Sequence, residues 1–418
     1  MAGTKGKGST CAFTESFLRA HGHRTGYPRK LGLYTSPHLI EPEERIRLDS
    51  IPIDRSLFAK YFFEVYDRLP QLHKPYDGTV QDVVARGPRN LQLYALLAIH
   101  VFIREEVNVA IVETHSGGEY DATNVITHPV VTAVTTLGMD HVATLGPKIE
   151  NIAWHKAGIF KRGATALSTM QVEEGTEQVL RGRAVEKAAE VRFINIDPRL
   201  PTDARQLDPK VQRQNGSLAL AAAESWLSRK AAISRGKLSS QDIKEGIEQW
   251  FWPGRFQVIR EGRHSWFLDA AHNEMSVAIA AQWFADATRA STRGPAVAKR
   301  RILIFSHINE LRDADALLGA LAKSLHDRGA HIEHVIFTGY TVNATDANVA
   351  QESRDKTGQL RKTWLHVHPA SAVWDESSIQ GAIDRTRTIA NDSGDLTLHV
   401  LIKGSQHLVG PALQLLQR

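Results

Sequence analysis

Apolar residues recur along this chain in two rhythms, and the two alternate. Helical spacing runs through Cys11, Phe13, Phe17 and Leu18, then Leu57, Tyr61, Phe62, Val65 and Leu69, then Leu91, Leu93, Leu96, Leu97, Val101 and Phe102. Short, nearly continuous apolar runs lie between: Leu31 to Tyr34, Asn108 to Glu113 and Val130 to Thr136. Such runs, with little polar alternation, suit parallel strands buried on both faces. Helical spacing returns over 149–160. At least one strand–helix pair lies in 164–200, an alanine-rich helix spans 215–226 and another helix 240–251. The helical rhythm stops at Trp252-Pro253-Gly254-Arg255. A second series follows: strand 265–269, a helix from 274, strand 301–306, helix 313–327, strand 333–338, strand 396–401 and a terminal helix. The polar stretch 340–395 reads as surface loops around one strand and one helix.

This alternation predicts an α/β protein of two domains, residues 1–252 and 253–418, each built on a mostly parallel sheet. A length of 418 residues leaves ample core for both. No run of eighteen apolar residues occurs, so no membrane span is expected. The single cysteine, Cys11, excludes an internal disulfide and points to a reducing compartment. A net charge of +5, spread along the chain, suits small polyanionic ligands rather than nucleic acid.

The densest candidate chemistry is the stretch Gly3-Thr4-Lys5-Gly6-Lys7-Gly8-Ser9-Thr10, which runs straight into the first helix. Glycines let backbone N–H groups close on an anion, and the helix N-terminus adds its dipole. Lysine can reach phosphate oxygens, and the Ser-Thr pair can support a metal ion. The first domain is therefore expected to be P-loop ATPase-like, and the second Rossmann-like. For the loop alone, a flexible basic tail is the alternative. Glu113 and His141 follow the next two apolar runs, where open α/β sheets bind ligands. Together with the hydroxyls they suit a divalent cation; a helix-capping glutamate and a surface histidine are the plainer reading. Lys156, inside a helix, either faces the phosphates or is solvated. Arg255 at the hinge either bridges to phosphate or is a surface arginine. Asp269, followed by His272, ends a strand of the second domain, as do Ser306-His307 and Gly404-Ser405; Asp269 is either a cleft residue or a helix cap.

Taken together, the segments Ala2 to Thr10, Thr35-Ser-Pro-His-Leu39, Glu44-Arg-Ile-Arg47, Asp121-Ala-Thr-Asn124, Leu137 to His141, His155 to Ile159, Trp252 to Arg255, Leu268 to His272 and Gly404 to Gly410 resemble the folylpolyglutamate synthases. These belong to the muramyl-peptide ligase superfamily. Lys5, His115 to Glu119 and Phe305 to Ile308 look like the eukaryotic, fungal branch. The resemblance implies ATP-dependent addition of L-glutamate to tetrahydrofolate and its polyglutamates through an acyl phosphate. It implies a monomer, in the cytoplasm and also the mitochondrion, using ATP, two Mg²⁺ ions and a monovalent cation such as K⁺. Gly3 to Thr10, Asn215, Arg255, Asp269 and His272 match ATP contacts. Ser9, Ser36, Glu113 and His141 match metal ligands. Lys7, His141 and Lys156 match catalytic positions, Lys156 being the lysine that some relatives carbamylate. The implied active site is a cleft between the domains.

Two departures from the family carry expectations. The family has a helix and a strand ahead of the loop, and here only Met1 and Ala2 precede Gly3. This predicts an exposed apolar sheet edge or an unanchored loop, low stability or activity for the chain as written, and a start further upstream. The family's Asp-Gly-Ala-His is Asp269-Ala270-Ala271-His272 here, which would cost about 1 kcal/mol if that backbone needs a positive φ. Dihydrofolate synthase, acting on dihydropteroate, is the close alternative. A nucleotide-binding protein without ligase activity is the more distant one.

Overall fold

The computed structural model describes residues 1–69, 87–230, 236–270, 273–289, 299–307, 313–342, 347–391 and 396–417. The chain divides into two compact units, Met1–Phe251 and Trp252–Arg418.

In the first unit, helix α1 (Lys7–Thr25) follows the glycine-rich loop and stops at Gly26, whose left-handed backbone lets its N–H return to the Gly22 carbonyl. Strand β1 (Leu31–Tyr34) pairs antiparallel with β2 (Ile46–Leu48), which pairs with the short β3 (Ile51–Pro52). Helix α2 (Arg55–Tyr66) is capped by Asp54, which accepts from the N–H groups of Ser56 and Leu57. With α3 (Asn90–Arg104) it covers Tyr34, Ile46, Tyr61, Leu97, Val101 and Phe102. Strand β4 (Val109–Val112) lies parallel to β1.

Strand β5 (Val131–Val134) begins a second, all-parallel group with β6 (Thr165–Thr169) and β7 (Val191–Ile194). The one-turn α4 (Val142–Leu145) and then α5 (Ile149–Ala157) lie between β5 and β6, and α6 (Thr176–Glu186) lies between β6 and β7. Helices α7 (Lys210–Lys230) and α8 (Ser240–Glu248) both pack on α1, and Phe13 stacks on Trp250 with ring centroids 4.2 Å apart.

Among the described residues, Met1 and Ala2 are what joins the sheet between β4 and β5. The Met1 amine donates to Val112 O (2.8 Å), and Thr114 N–H donates to Met1 O (2.9 Å). Ala2 N–H donates to Ala133 O (2.9 Å) and Thr135 N–H to Ala2 O (2.8 Å). The two strands face each other across a groove of 510 Å³, lined by Met1, Ala110, Val112, Val131, Ala133 and Trp226 among others. The loop itself is anchored: Thr4 and Lys5 N–H both donate to Thr136 O (2.9 and 3.1 Å).

The second unit holds one six-stranded sheet. Its order is β12 (Ala372–Glu376), β11 (His334–Thr338), β10 (Lys299–Phe305), β13 (Thr397–Lys403), β9 (His264–Asp269), β8 (Gln257–Glu261). All neighbours are parallel except β8, which runs antiparallel on β9. Its helices are α9 (Glu274–Thr288), α10 (Ala314–His326), α11 (Ala347–Val367), α12 (Ile379–Asn391) and α13 (Gln406–Leu416). Phe284, Leu303, Phe305, Leu321, Phe337 and Trp364 belong to its core. The reading of 340–395 needs correction: β12 is there, but with two helices, α11 and α12, not one.

Candidate active site

The loop at the start of α1 is shaped by contacts that only glycine permits. Gly3 has φ +144°, and a Cβ there would lie 1.9 Å from Thr135 Oγ1; Gly6 has φ +86°, and its Cβ would lie 2.2 Å from Asn215 Oδ1. Thr4 Oγ1 donates to Gly138 O (3.0 Å), so loop and β5 crest are tied side chain to backbone as well. Lys7, Gly8 and Ser9 open the first turn of the helix, where their N–H groups and the dipole face the loop, and Thr10 N–H closes the turn on Gly6 O (2.8 Å). Ser9 and Thr10 are buried there.

Two lysines of the loop meet acids at strand ends. Lys7 Nζ is 3.8 Å from Glu113 Oε1, and Lys5 Nζ is 3.3 Å from Asp140 Oδ2. Glu113 is buried just past β4, and its Oε2 accepts from Ser36 N–H (3.1 Å). The segment after Ser36 is held by Glu44, whose carboxylate accepts from the N–H groups of Leu39, Ile40 and Glu41 at 3.0 to 3.1 Å. The loop lysine, the Glu113 carboxylate and Ser36 therefore come together as the sequence reading expects. The donors are hard oxygens (Ser9 and Ser36 hydroxyls, Glu113 carboxylate), the chemistry that Mg²⁺ takes. His141 sits on the solvent side at the N-cap of α4, with φ +53°. Among the described residues no three His, Cys, Asp or Glu side chains converge as a metal cluster.

Lys156 is 1% exposed, inside α5, and Nζ donates to Gly3 O (2.8 Å) and Ser116 O (2.9 Å). The solvated reading is thus excluded. Burial, followed by the repulsion of Lys7 and Lys5 against the pull of Asp140 and Asp121, holds its pKa well below the usual lysine range. Asn215, matched to an ATP contact, presses its side chain on Gly6 and donates to Gln212 Oε1 (2.8 Å).

Sequence reasoning missed a buried relay beside this site. Tyr34 O–H donates to His115 Nε2 (2.7 Å), and His115 Nδ1 lies 3.2 Å from Asp121 Oδ1. Burial pushes Asp121 up, but hydrogen bonds from His115 and Thr123 outweigh it and hold its pKa at about 2. The relay fixes the loop whose Ser116 carbonyl holds Lys156. The Asp121-x-Thr123-Asn124 pattern was the available signal; the tyrosine was not readable.

In the second unit, Asp269 ends β9, buried at 1% exposure. Arg255 lies in the preceding loop, which is tied to this strand end by Ala270 N–H donating to Gly254 O (2.9 Å). His272 and Ala271 lie outside the described residues. Ala270 does not take a positive φ, so the strain expected from replacing the family's glycine does not arise.

Two α/β units, one opening on a glycine-rich anion loop with a buried carboxylate and lysine beside it, define a phosphate-binding, nucleotide-handling class of protein. No family model matches the sequence. The chain is 40% identical over 437 aligned residues to folylpolyglutamate synthase of Neurospora crassa, covering 100% of this chain and 81% of that protein. It therefore belongs to the folylpolyglutamate synthase family. Its fold matches Mycobacterium tuberculosis folylpolyglutamate synthase complexed with ADP and AMPPCP (TM-score 0.75, 24% identity, 100% of this chain and 90% of that one). It also matches the bifunctional folylpolyglutamate synthase/dihydrofolate synthase of Yersinia pestis complexed with AMPPNP and a Mn ion (TM-score 0.69, 22% identity, 100% and 88%).

Proposed function

We propose that this chain is a carbon–nitrogen ligase that uses ATP to join L-glutamate to the terminal carboxylate of tetrahydrofolate or its polyglutamates. The observation that carries the reading is Lys7 in the anion loop, directed at the buried Glu113 that also accepts from Ser36. Family membership at 40% identity supplies the substrate class.

The folate carboxylate oxygen attacks the γ-phosphorus and ADP leaves, giving an acyl phosphate. The glutamate amine then attacks the acyl carbon, a proton is lost, and phosphate departs. Loop N–H groups and Lys7 stabilise negative charge as it spreads over the transferred group. Ser9, Ser36 and Glu113 would hold Mg²⁺, which would supply positive charge to offset the repulsion between the phosphates and the incoming carboxylate. His141 and Lys156 are assigned to the second ion and to the positioning of the folate carboxylate. Asn215, Arg255, Asp269 and His272 are assigned to the nucleotide. Relatives complexed with ADP, AMPPCP, or AMPPNP and Mn support ATP and a divalent cation. The sole cysteine, Cys11, is buried and free, in keeping with the cytoplasm.

ADP release with Mg·ATP tests the assignment. It is expected to require both tetrahydrofolate and L-glutamate. Release with dihydropteroate in place of tetrahydrofolate would assign the earlier folate step instead, and no release in either case would leave a nucleotide-binding protein.

A further inference from the structure

Lys403 lies at the end of β13, opposite Asp269 at the end of β9, in parallel register. Its side chain is 0% exposed, that of Asp269 is 1% exposed, and Nζ contacts Asp269 Oδ1. An ammonium has three donors, and among the described residues Asp269 is the one acceptor this ammonium reaches. Burial lowers the Lys403 pKa, Asp269 raises it, and Arg255 nearby lowers it again. Two cations, Lys403 and Arg255, therefore lie near one another at this strand end.

A fully buried ion pair seldom stabilises a fold as well as apolar residues of equal volume would. Retaining one at a strand crest needs another reason. A carboxylate rotates freely about its last torsion. A buried ammonium on one oxygen fixes the plane of the group and the direction in which the other oxygen points. It also balances the charge of Asp269, so that the Arg255 guanidinium is left for a phosphate. Gly404, next in the chain, locks the lysine's backbone: φ is +132°, and a Cβ there would lie 2.3 Å from Ser306 O.

We propose that Lys403 is a positioning residue for nucleotide binding: it orients the Asp269 carboxylate toward ATP and leaves Arg255 uncompensated. This rests on the reading of Asp269 as a nucleotide contact.

The test is steady-state ADP release by the full chain with tetrahydrofolate and L-glutamate, comparing wild type, Asp269→Asn, Lys403→Met and Lys403→Gln, with thermal melts of each. Asp269→Asn is expected to raise KM for ATP roughly tenfold, and Lys403→Met to do the same with kcat within about twofold and KM for glutamate unchanged. Lys403→Gln retains a donor and is expected to fall between wild type and Lys403→Met. Leu325→Ala, a core change in the same unit, controls for lost stability alone. An unchanged ATP KM in Asp269→Asn would refute the nucleotide role of Asp269. A raised KM there, with Lys403→Met and Lys403→Gln lowering only the melting temperature as Leu325→Ala does, would overturn the positioning role. If Lys403→Met does not fold, Lys403→Gln decides by the same split.

Discussion

Lys156 donates to two carbonyls, Gly3 O and Ser116 O. Burial, ahead of the nearby charges, lowers its pKa. The unfolded chain binds a proton on this lysine up to its ordinary value of 10.5, whereas the folded domain releases it earlier. Over that interval the unfolded state holds more protons, so this residue makes stability rise with pH. Lys156→Met leaves the buried Gly3 carbonyl and the half-buried Ser116 carbonyl without this donor and is expected to cost roughly 2–4 kcal/mol. Urea midpoints at about pH 7 and about pH 9 should show wild type gaining more than the variant. Equal gains would mean that the lysine is protonated in the fold. Gly6 offers a second residue-scale case. Gly6→Ala adds about 1 kcal/mol of backbone strain and drives Asn215 off the loop, since the Cβ would lie 2.2 Å from Oδ1. Its ATP KM should rise, and Asn215→Ala in the same chain should recover part of the loss. A double variant no better than the sum of the singles would place the damage in the backbone alone.

At the scale of elements, the groove between β4 and β5 has two strand edges that pair with no other strand among the described residues. The bonds of Val112 and Thr114 to Met1, and of Ala133 and Thr135 to Ala2, set which residues face it. The period of two then turns the N–H and C=O groups of Ala110 and Val131 into the groove as well. Exposed strand edges over apolar walls recruit other strands. An extended apolar peptide of about five residues, added in trans, should raise the melting temperature of the chain, and the same peptide with a central proline should not. Equal effects of the two peptides would rule out strand pairing. The alternation of helices and buried strands was legible because parallel strands buried on both faces write continuous apolar runs. Elements that break that rule were not. The hairpin β2–β3 hides in a charged stretch because Arg47 is buried and bonded to Ser50 O. Strand β8 is an edge with mostly polar residues. Helix α12 buries one thin stripe, Ile379, Ala382, Ile383, Thr386, Ile389 and Ala390. The loop and the strand-end acids of the site were legible because strand ends collect chemistry in α/β sheets. The Lys403–Asp269 pair and the place of Tyr34 beside His115 were not, because those partners lie far apart in sequence and no local spacing joins them.

For the molecule as a whole, the two units each carry a core of their own: Phe284, Leu303, Phe337 and Trp364 in one, and Val134, Phe160, Ala166 and Leu180 in the other. Each therefore has the means to melt cooperatively by itself. Among the described residues, the first unit has a sheet joined at its centre by two residues, while the second has an unbroken six-stranded sheet. Scanning calorimetry should thus resolve two transitions, the first unit melting at the lower temperature. Single substitutions assign them. Gly6→Ala should move only the lower transition, and Leu325→Ala only the upper. At about 2–4 °C per kcal/mol for a unit of this size, both shifts are measurable. Mg·ATP binds folded and not unfolded chain, so it should raise the lower transition by an amount that grows with the logarithm of its concentration. A rise in the lower transition that Gly6→Ala abolishes would tie that stabilisation to the loop. A single transition moved alike by both substitutions would show that the chain unfolds as one cooperative body, whatever its two cores suggest.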